Sequence, residues 1–206
     1  MIIENNNINI KISKLAVLTS GGDAPGMNAA IRSVARSCSH YGIQCFGVSR
    51  GYQGLIEGKI KPLGTRSVKN ILNKGGTILK SARSKEFMTK EGRLKAHETL
   101  KNQEINNLVV IGGDGSFTGG YIFEKEFGVS VVGIPGTIDN DIFGTDSTVG
   151  YDTALNTVVE AIDKIRDTAI SHNRLFFVEV MGKDAGHIAL NTGIGIGASE
   201  ILICLL

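Results

Sequence analysis

The sequence predicts an α/β protein built on a mainly parallel β-sheet with helices on both faces. Short runs rich in valine and isoleucine alternate with longer segments of helical period, and strands that are apolar throughout are typical of sheets covered on both sides. The 27 glycines among 206 residues cluster as GG or GxG, usually just after an apolar run. Ligands of such sheets bind beyond the carboxyl ends of the strands, so we expect a binding site at these glycine turns.

Six apolar runs are the predicted strands. They are Leu15 to Thr19, Gln44 to Val48, Leu108 to Ile111, Val129 to Ile134, Leu175 to Val180 and Glu200 to Leu206. Helices are predicted over 28–40, 90–102 and 152–168, and the last segment carries apolar residues at steps of three and four. The stretch from Gly51 to Leu63 is less regular, and we expect a peripheral hairpin and helix there.

Composition and charge exclude several classes of function. A hydrophobic share of 42% with 20% charged residues is enough for a buried core and argues against disorder. The net charge is only +2, so no basic face is expected for nucleic acid or an anionic membrane. No apolar run approaches the ~20 residues of a membrane helix, and the first residues do not resemble a signal peptide. The three cysteines fit no disulfide framework, and we expect a cytoplasmic protein.

The first motif is TSGGDAPGMN, residues 19–28, at the junction of the first predicted strand and helix. Gly21 and Gly22 permit positive φ and let a phosphate approach the backbone, while a helix start supplies free N–H groups and a positive dipole end. The motif matches neither the Walker loop nor the dinucleotide fingerprint. From these residues alone, a phosphate loop and a tight turn without a ligand both stay open.

The second motif is VVIGGDGS, residues 109–116. Asp114 follows a predicted strand and is flanked by glycines, which suits Mg²⁺ held by one carboxylate and by nucleotide phosphates. Ser116 is expected to cap the next helix as well as to touch phosphate. The alternative is that Asp114 is only a turn or cap residue.

The third motif is PGTIDNDIFGTD, residues 135–146, again directly after a predicted strand. A carboxylate that accepts the proton of a substrate hydroxyl during attack on phosphorus is the expected general base, and Asp139 is our choice. A solvated acidic turn is the alternative. Three cations near strand or loop ends, Arg83, Arg174 and Lys183, are candidates to neutralise a migrating phosphoryl group, although each taken singly also fits a surface charge.

Five segments together resemble the bacterial-type ATP-dependent 6-phosphofructokinases. The segments are TSGGDAPGMNAAIR, NKGGTILKSAR, VVIGGDGS, PGTIDNDIFGTD and SHNRLFFVEVMG, in the family's order and spacing from about Lys14 to about Ile203. The resemblance implies a Rossmann-like phosphofructokinase fold and transfer of phosphate from MgATP to fructose 6-phosphate, the committed step of glycolysis. It also implies a homotetramer for the full-length protein.

The resemblance implies a role for each residue that matches a family motif. ATP is expected to contact Gly22, Arg83, Ser84, Gly113, Asp114, Gly115 and Ser116, with Asp114 on magnesium. Catalysis is expected to rest on Asp139, Thr137 and Lys183. Fructose 6-phosphate is expected to contact Thr137, Ile138, Asp139, Arg174, Met181, Gly182 and Lys183, with Arg174 reaching a neighbouring subunit's site.

The sequence departs from the family in three respects. Lys183 stands where the family has arginine, which keeps the charge but not the planar fork. The effector arginines match Arg32, Arg36 and Arg166. However, the acid expected near Ser199 is displaced to Glu200 and another effector arginine to Arg66, so control by ADP or phosphoenolpyruvate is left open. The second half of the family's chain is also absent, and we interpret the closing run ILICLL as an interior strand cut short.

We accordingly predict three regions. Residues 1–13 are an N-terminal extension, 14–145 an ATP- and magnesium-binding domain, and 146–206 the start of a truncated substrate-binding domain. Three rival functions are considered. A diphosphate-dependent phosphofructokinase would carry aspartate and lysine at positions 115 and 136, where this chain has glycine. An NAD-kinase-like or lipid-kinase-like protein would lack PGTIDND, and a nucleotide-binding fragment without activity stays open.

Overall fold

The computed structural model describes residues 12–172 and 174–203. The elements in this part of the chain are β1 (Lys14–Thr19), α1 (Met27–His40), β2 (Gln44–Val48), α2 (Gly51–Ile56), β3 (Ile60–Pro62), a 3₁₀ helix (Glu86–Met88), α3 (Lys90–Asn102), β4 (Asn107–Gly112), α4 (Asp114–Phe127), β5 (Ser130–Thr137), β6 (Val149–Gly150), α5 (Tyr151–His172) and α6 (His187–Ile196). Most of the predicted extension over residues 1–13 lies outside the described residues.

The sheet has the spatial order β3-β2-β1-β4-β5-β6. All neighbouring strands are parallel except β2 and β3, which are antiparallel. The mainly parallel sheet predicted from the sequence is therefore confirmed. Because β1 pairs with both β2 and β4, the chain changes direction across the sheet between β1 and β4, which creates the crevice where ligands of open α/β sheets bind.

Alternating side chains of the central strands form a core on each face of the sheet. Ala16 and Leu18 of β1 join one core with α2, α3 and α4, whereas Val17 joins the other with α1 and residues between 63 and 79. On β4, Val110 belongs to the first core and Ile111 to the second. Both faces of the central strands are thus covered, as their apolar pattern predicted.

The region from Gly51 to Leu63 contains a helix and an edge strand. β3 lies at the sheet edge, as expected for a peripheral element. Helix α2 is not peripheral, because Tyr52 is 5% exposed and Leu55 is fully buried in the first core. The turn between them returns the chain to β2, with which β3 pairs over 60–62.

Two predicted strands are wrong. Residues 175–180 form no strand, and neither do residues 200–203, while the rest of the second run lies outside the described residues. Leu175 and Phe177 are 80% and 83% exposed. Their apolar and β-branched composition favours a strand, but a strand forms only where a neighbouring strand supplies the hydrogen-bond partners. In the described residues this segment pairs with no strand.

Candidate active site

The candidate site begins in the crevice between β1 and β4. The backbone N–H of Ser20 donates to the carbonyl oxygen of Ile111 at 2.9 Å, which holds the two strand ends together. A Cβ at Gly112 would lie 2.6 Å from the carbonyl oxygen of Ser20, so no larger residue fits. The first two glycine motifs are thereby placed side by side, as the strand-end argument predicted.

The loop after β1 exposes backbone groups at the start of α1. Gly21 and Gly26 have φ of 84° and 89°, a conformation that glycine adopts without strain. Gly26 is the N-cap of α1 and no side chain caps the helix, so first-turn N–H groups are available for an anion. Gly22 is exposed, and a Cβ there would meet nothing within 4 Å.

Two buried polar residues that the sequence argument overlooked fasten the following loop to this crevice. Asn28 donates from Nδ2 to the carbonyl of Lys74 at 2.9 Å and accepts the N–H of Ile78 through Oδ1 at 2.8 Å. Thr19 Oγ1 donates to the carbonyl of Lys80 at 2.9 Å. Asn28 belongs to the first motif, but its partners lie about fifty positions further along the chain.

Residues 83 and 84 continue this loop towards α2. Arg83 is exposed, whereas Ser84 is half-buried. The hydroxyl of Ser84 donates to Oε1 of Gln53 at 2.7 Å. Its position next to Arg83 is therefore fixed by α2, an element that carries none of the sequence motifs.

Asp114 is the first residue of α4, immediately after β4. The helix N-cap is Gly113, so the prediction that Ser116 caps this helix is wrong. Ser116 instead lies within the first turn and is 7% exposed, because its side chain turns back towards Gly21 and Gly112. The Asp114 side chain is exposed, and its negative charge is favourable at the positive end of the helix dipole.

The residues around Asp114 fit a magnesium–nucleotide complex. Asp114 supplies one carboxylate, and in the described residues no group of three or more acids, histidines or cysteines is arranged to hold a metal. Mg²⁺ commonly takes one or two protein carboxylates together with substrate phosphates, which this donor set matches. A Cβ at Gly115 would meet nothing within 4 Å, so a phosphate has room beside the helix start.

The loop after β5 lies next to the Asp114 loop. Gly112 is in register with Pro135 on the neighbouring strand, and a Cβ at Gly113 would be 3.9 Å from Cβ of Thr137. Thr137 Oγ1 accepts the N–H of Asp139 at 3.2 Å. The third motif thus meets the second at adjacent strand ends.

Hydrogen bonds to Thr148 restrain the backbone on both sides of Asp139. Asn140, at φ 51°, accepts the N–H of Thr148 at 2.8 Å through Oδ1. The hydroxyl of Thr148 in turn donates to the carbonyl of Thr137 at 2.6 Å. The acidic segment is therefore an ordered loop rather than a freely solvated turn.

The carboxyl of Asp139 has a raised pKa. Burial is the main cause, the negative charge of Asp141 adds to it, and Lys183 and the hydrogen bond from Thr137 oppose it. Lys183 pairs with Asp141, with Nζ 3.3 Å from Oδ2, and this contact raises the pKa of the lysine. The fold thus brings Lys183 to the acidic loop from a segment about forty residues away.

The remaining predicted substrate residues are distributed around this loop. Ile138 packs against the second core, and Gly182 is buried with φ of 141°. Arg174 and Met181 have exposed side chains, and within the described residues neither forms a hydrogen bond or ion pair with the acidic loop. The structure therefore gathers Thr137, Asp139 and Lys183 but leaves Arg174 and Met181 outside that group.

The predicted effector arginines lie on two helices. Arg32 and Arg36 are one turn apart on α1, and Arg166 is on α5. Arg32 donates from NH1 to the carbonyl of Val68 at 2.9 Å, while Arg36 is exposed. Arg32 therefore has a structural partner in addition to the effector role that the resemblance implies.

The chain belongs to the phosphofructokinase family, whose model matches residues 14–204. It is 60% identical over 189 residues to ATP-dependent 6-phosphofructokinase 2 of Bacteroides thetaiotaomicron, covering 92% of this chain and 58% of the relative. It is 56% identical over 192 residues to ATP-dependent 6-phosphofructokinase 1 of Thermus thermophilus, covering 93% and 60%. The chain thus spans about three-fifths of the length of these relatives.

Solved structures agree with this assignment. Phosphofructokinase from Saccharomyces cerevisiae superposes with a TM-score of 0.90 at 44% identity, over 93% of this chain and 29% of that one. A pyrophosphate-dependent phosphofructokinase from Marinobacter aquaeolei shares the fold, with a TM-score of 0.74 at 23% identity over 92% of this chain and 50% of that one. Among the described residues, no helix has the length and apolar character needed to span a membrane.

Proposed function

We propose that this chain is the nucleotide- and magnesium-binding part of an enzyme that phosphorylates fructose 6-phosphate to fructose 1,6-bisphosphate with MgATP. One observation carries the proposal. The strands before Asp114 and Asp139 are neighbours, with Gly112 in register with Pro135, so a phosphate donor at the first carboxylate faces a proton acceptor at the second. In-line phosphoryl transfer needs the attacking hydroxyl, with its base, and the leaving group on opposite sides of the reacting phosphorus, and two neighbouring strand ends can hold them on either side of it.

Asp139 is proposed as the general base for the sugar's 1-hydroxyl. A base works best when its pKa is close to the working pH, and burial together with the Asp141 charge moves the pKa of Asp139 upward from its ordinary range. Thr137 fixes the approach of Asp139 through the N–H···Oγ1 bond. Lys183 supplies a positive charge at the same loop, although Asp141 holds its ammonium group in this structure.

The nucleotide is proposed to lie along the β1 and β4 loops. Its phosphates would contact Gly22 and residues 113–116, and Arg83 and Ser84 would contact it from the neighbouring loop. Magnesium would be held by Asp114 and by the phosphates, and when bound it neutralises charge on the transferring group. The Asp114 carboxylate at the start of α4 and the open space at Gly115 support this arrangement.

ATP is the proposed donor in preference to diphosphate. The relatives with 53–60% identity are named ATP-dependent 6-phosphofructokinases, and the pyrophosphate-dependent structure is similar only in fold. Gly115 leaves room for the nucleotide's α-phosphate, whereas an aspartate there would repel it. A nucleotide-binding chain without activity is the second candidate, because about two-fifths of the relatives' length has no counterpart here.

Several finer assignments belong to the same proposal. We assign 14–145 to the nucleotide domain and 146–206 to the beginning of the substrate domain. Arg174, Met181 and Gly182 are assigned to the sugar-phosphate site, and Arg32, Arg36 and Arg166 to an effector site. A cytoplasmic homotetramer is the proposed state of the complete enzyme.

The test uses a chimera as well as the chain itself. Residues 14–204 would replace the matching 58% of the Bacteroides relative, and fructose 1,6-bisphosphate would be measured with either ATP or diphosphate as donor. Calorimetry on the chain alone would measure MgATP binding. Activity of the chimera with ATP, together with MgATP binding by the chain, supports the proposal. A chimera that folds with the same oligomeric state as the Bacteroides relative but uses only diphosphate would refute the choice of donor.

A further inference from the structure

Helix α2 connects two segments that we assign to the nucleotide site. Tyr52 is stacked on Phe87 of the 3₁₀ helix, with ring centroids 3.9 Å apart. Its hydroxyl donates to the carbonyl oxygen of Ser116 in the first turn of α4 at 2.7 Å. The next residue, Gln53, contacts the same region through Ser84. A helix that carries none of the nucleotide motifs therefore braces both segments.

The side-chain amide of Gln53 has a fixed orientation. Its Nε2 donates to Oε1 of Glu57 at 3.0 Å and lies 3.5 Å from Oε2 of Glu86. Ionised carboxylates only accept hydrogen bonds, so the nitrogen must face them and the oxygen must face Ser84. Lys59 and Lys95 pair with the two glutamates, and these contacts, together with the Gln53 amide, lower the pKa of both carboxyls. Both acceptors therefore stay ionised at neutral pH.

Gln53 in turn fixes the hydroxyl of Ser84. That hydroxyl has a single hydrogen, which it donates to Oε1 of Gln53 at 2.7 Å. Its oxygen accepts the N–H of Phe87 at 3.1 Å, which ties residue 84 to the start of the 3₁₀ helix. Both the side chain and the backbone next to Arg83 are thus restrained through one amide.

We propose that Gln53 is a positioning residue for the nucleotide site, holding Ser84 and its neighbour Arg83 in the arrangement that binds MgATP. The inference rests on the proposed function, because Ser84 and Arg83 are assigned to the nucleotide there. Loss of the amide leaves the Ser84 hydroxyl held only by the N–H of Phe87, and the order that Gln53 provides must then be restored on binding. For one neutral hydrogen bond we expect the Kd for MgATP to rise about three- to tenfold.

The experiment compares Gln53→Met with Gln103→Met in the 206-residue chain. Methionine keeps the length of the side chain but removes both amide groups, and Gln103 is an exposed glutamine at the end of α3. Calorimetry with MgATP and thermal unfolding are measured on both variants. A rise in Kd for Gln53→Met alone, with melting temperatures unchanged, supports positioning, since a purely structural role would lower the melting temperature instead.

A double-mutant cycle with Ser84→Ala tests whether Gln53 affects MgATP binding through Ser84. If Gln53 acts through Ser84, the double variant binds MgATP no more weakly than Ser84→Ala, whereas additive losses would overturn the inference. Hydrogen exchange at the Phe87 amide is a readout that needs no nucleotide, and it should quicken in Gln53→Met. An unchanged Kd with normal wild-type binding refutes the inference alone. A wild-type chain that binds no MgATP refutes the proposed function and, with it, this inference.

Discussion

Lys183 and Asp141 form an ion pair across 42 positions of sequence, with Nζ 3.3 Å from Oδ2. The pair affects the pKa of the Asp139 carboxyl. Burial and the negative charge of Asp141 raise this pKa, whereas the positive charge of Lys183 lowers it. The proton affinity of the proposed base is therefore adjustable by its two charged neighbours in opposite directions.

We expect Asp141→Asn to lower the pKa of Asp139 and Lys183→Met to raise it. The first change removes a negative charge and frees Lys183, and the second removes a positive charge and leaves Asp141 unpaired. Carbon-13 NMR titration of the Asp139 carboxyl in the chain would measure both shifts without any need for activity. Shifts in the same direction would contradict the electrostatic account.

Asp139→Asn should reduce turnover of the active chimera by about 10²–10⁴-fold while MgATP binding stays near the parent value. The carboxylate is the proton-accepting form. In the chimera that keeps Asp139, the rate should therefore fall as the pH drops through the raised pKa of this residue. That acid limb should lie above the ~3.9 of an ordinary aspartate. A loss of less than tenfold in a steady-state assay would assign the base to another residue.

Asp114→Ala should weaken binding of MgATP, because this site supplies few protein carboxylates and cannot spare one. Calorimetry with and without magnesium is the measurement, and the magnesium-dependent gain in affinity should be lost. Asp163→Ala, an exposed aspartate on α5, is the matched control. If both variants bind MgATP like the wild type, Asp114 is only a residue at a helix start.

Gly115→Asp should abolish ATP binding without destabilising the fold. A Cβ at this position meets no atom within 4 Å, and an acid in the first turn of α4 is favourable to the helix dipole. The loss should therefore come from charge repulsion against the nucleotide phosphates. Gly115→Ala adds a Cβ without the charge and should bind ATP nearly normally; equal losses in both variants would show that space, not charge, is decisive.

Asn28→Ala should lower the free energy of unfolding by about 1–3 kcal/mol, because it leaves the N–H of Ile78 and the carbonyl of Lys74 without their side-chain partner. Denaturant unfolding measures the change. Asn73→Ala, at an exposed position of the same loop, should cost much less. If the two variants lose the same free energy of unfolding, the hydrogen bonds of Asn28 add no stability beyond that of an exposed asparagine in this loop.

Much of the sheet followed from the sequence because its central strands, β1 and β4, are buried and carry an unmistakable apolar pattern. Helix α4 was given no bounds in the sequence prediction, since Gly115, Gly119 and Gly120 each lower helix propensity by about 1 kcal/mol. The fold explains one of them: a Cβ at Gly120 would lie 2.9 Å from the side chain of Val131, so the helix approaches β5 closely. The predicted strand over 175–180 does not form, for a different reason. Its composition suits a strand, but in the described residues it has no neighbouring strand to pair with.

The residues of the candidate site could likewise be predicted only in part. Asp114 and Asp139 could be singled out because each stands in a glycine-flanked turn after an apolar run, a purely local signal. The roles of Asn28 and Gln53 could not, because their partners lie 50 and 31 positions away and become neighbours only in the folded chain. Sequence patterns thus indicated the groups that we propose for the chemistry, whereas the groups that hold them in place required the tertiary structure.

The pairing of β1 with β4 has a consequence for how the protein folds. Thr19 lies opposite Ile111, so the two halves of the crevice come from segments separated by more than ninety residues. Closing so long a loop costs entropy before any contact compensates for it, and such non-local pairings are slow to form. A nucleotide added during refolding should therefore gain its site only after this central pairing is complete, which would make nucleotide binding a kinetic probe of a late folding step.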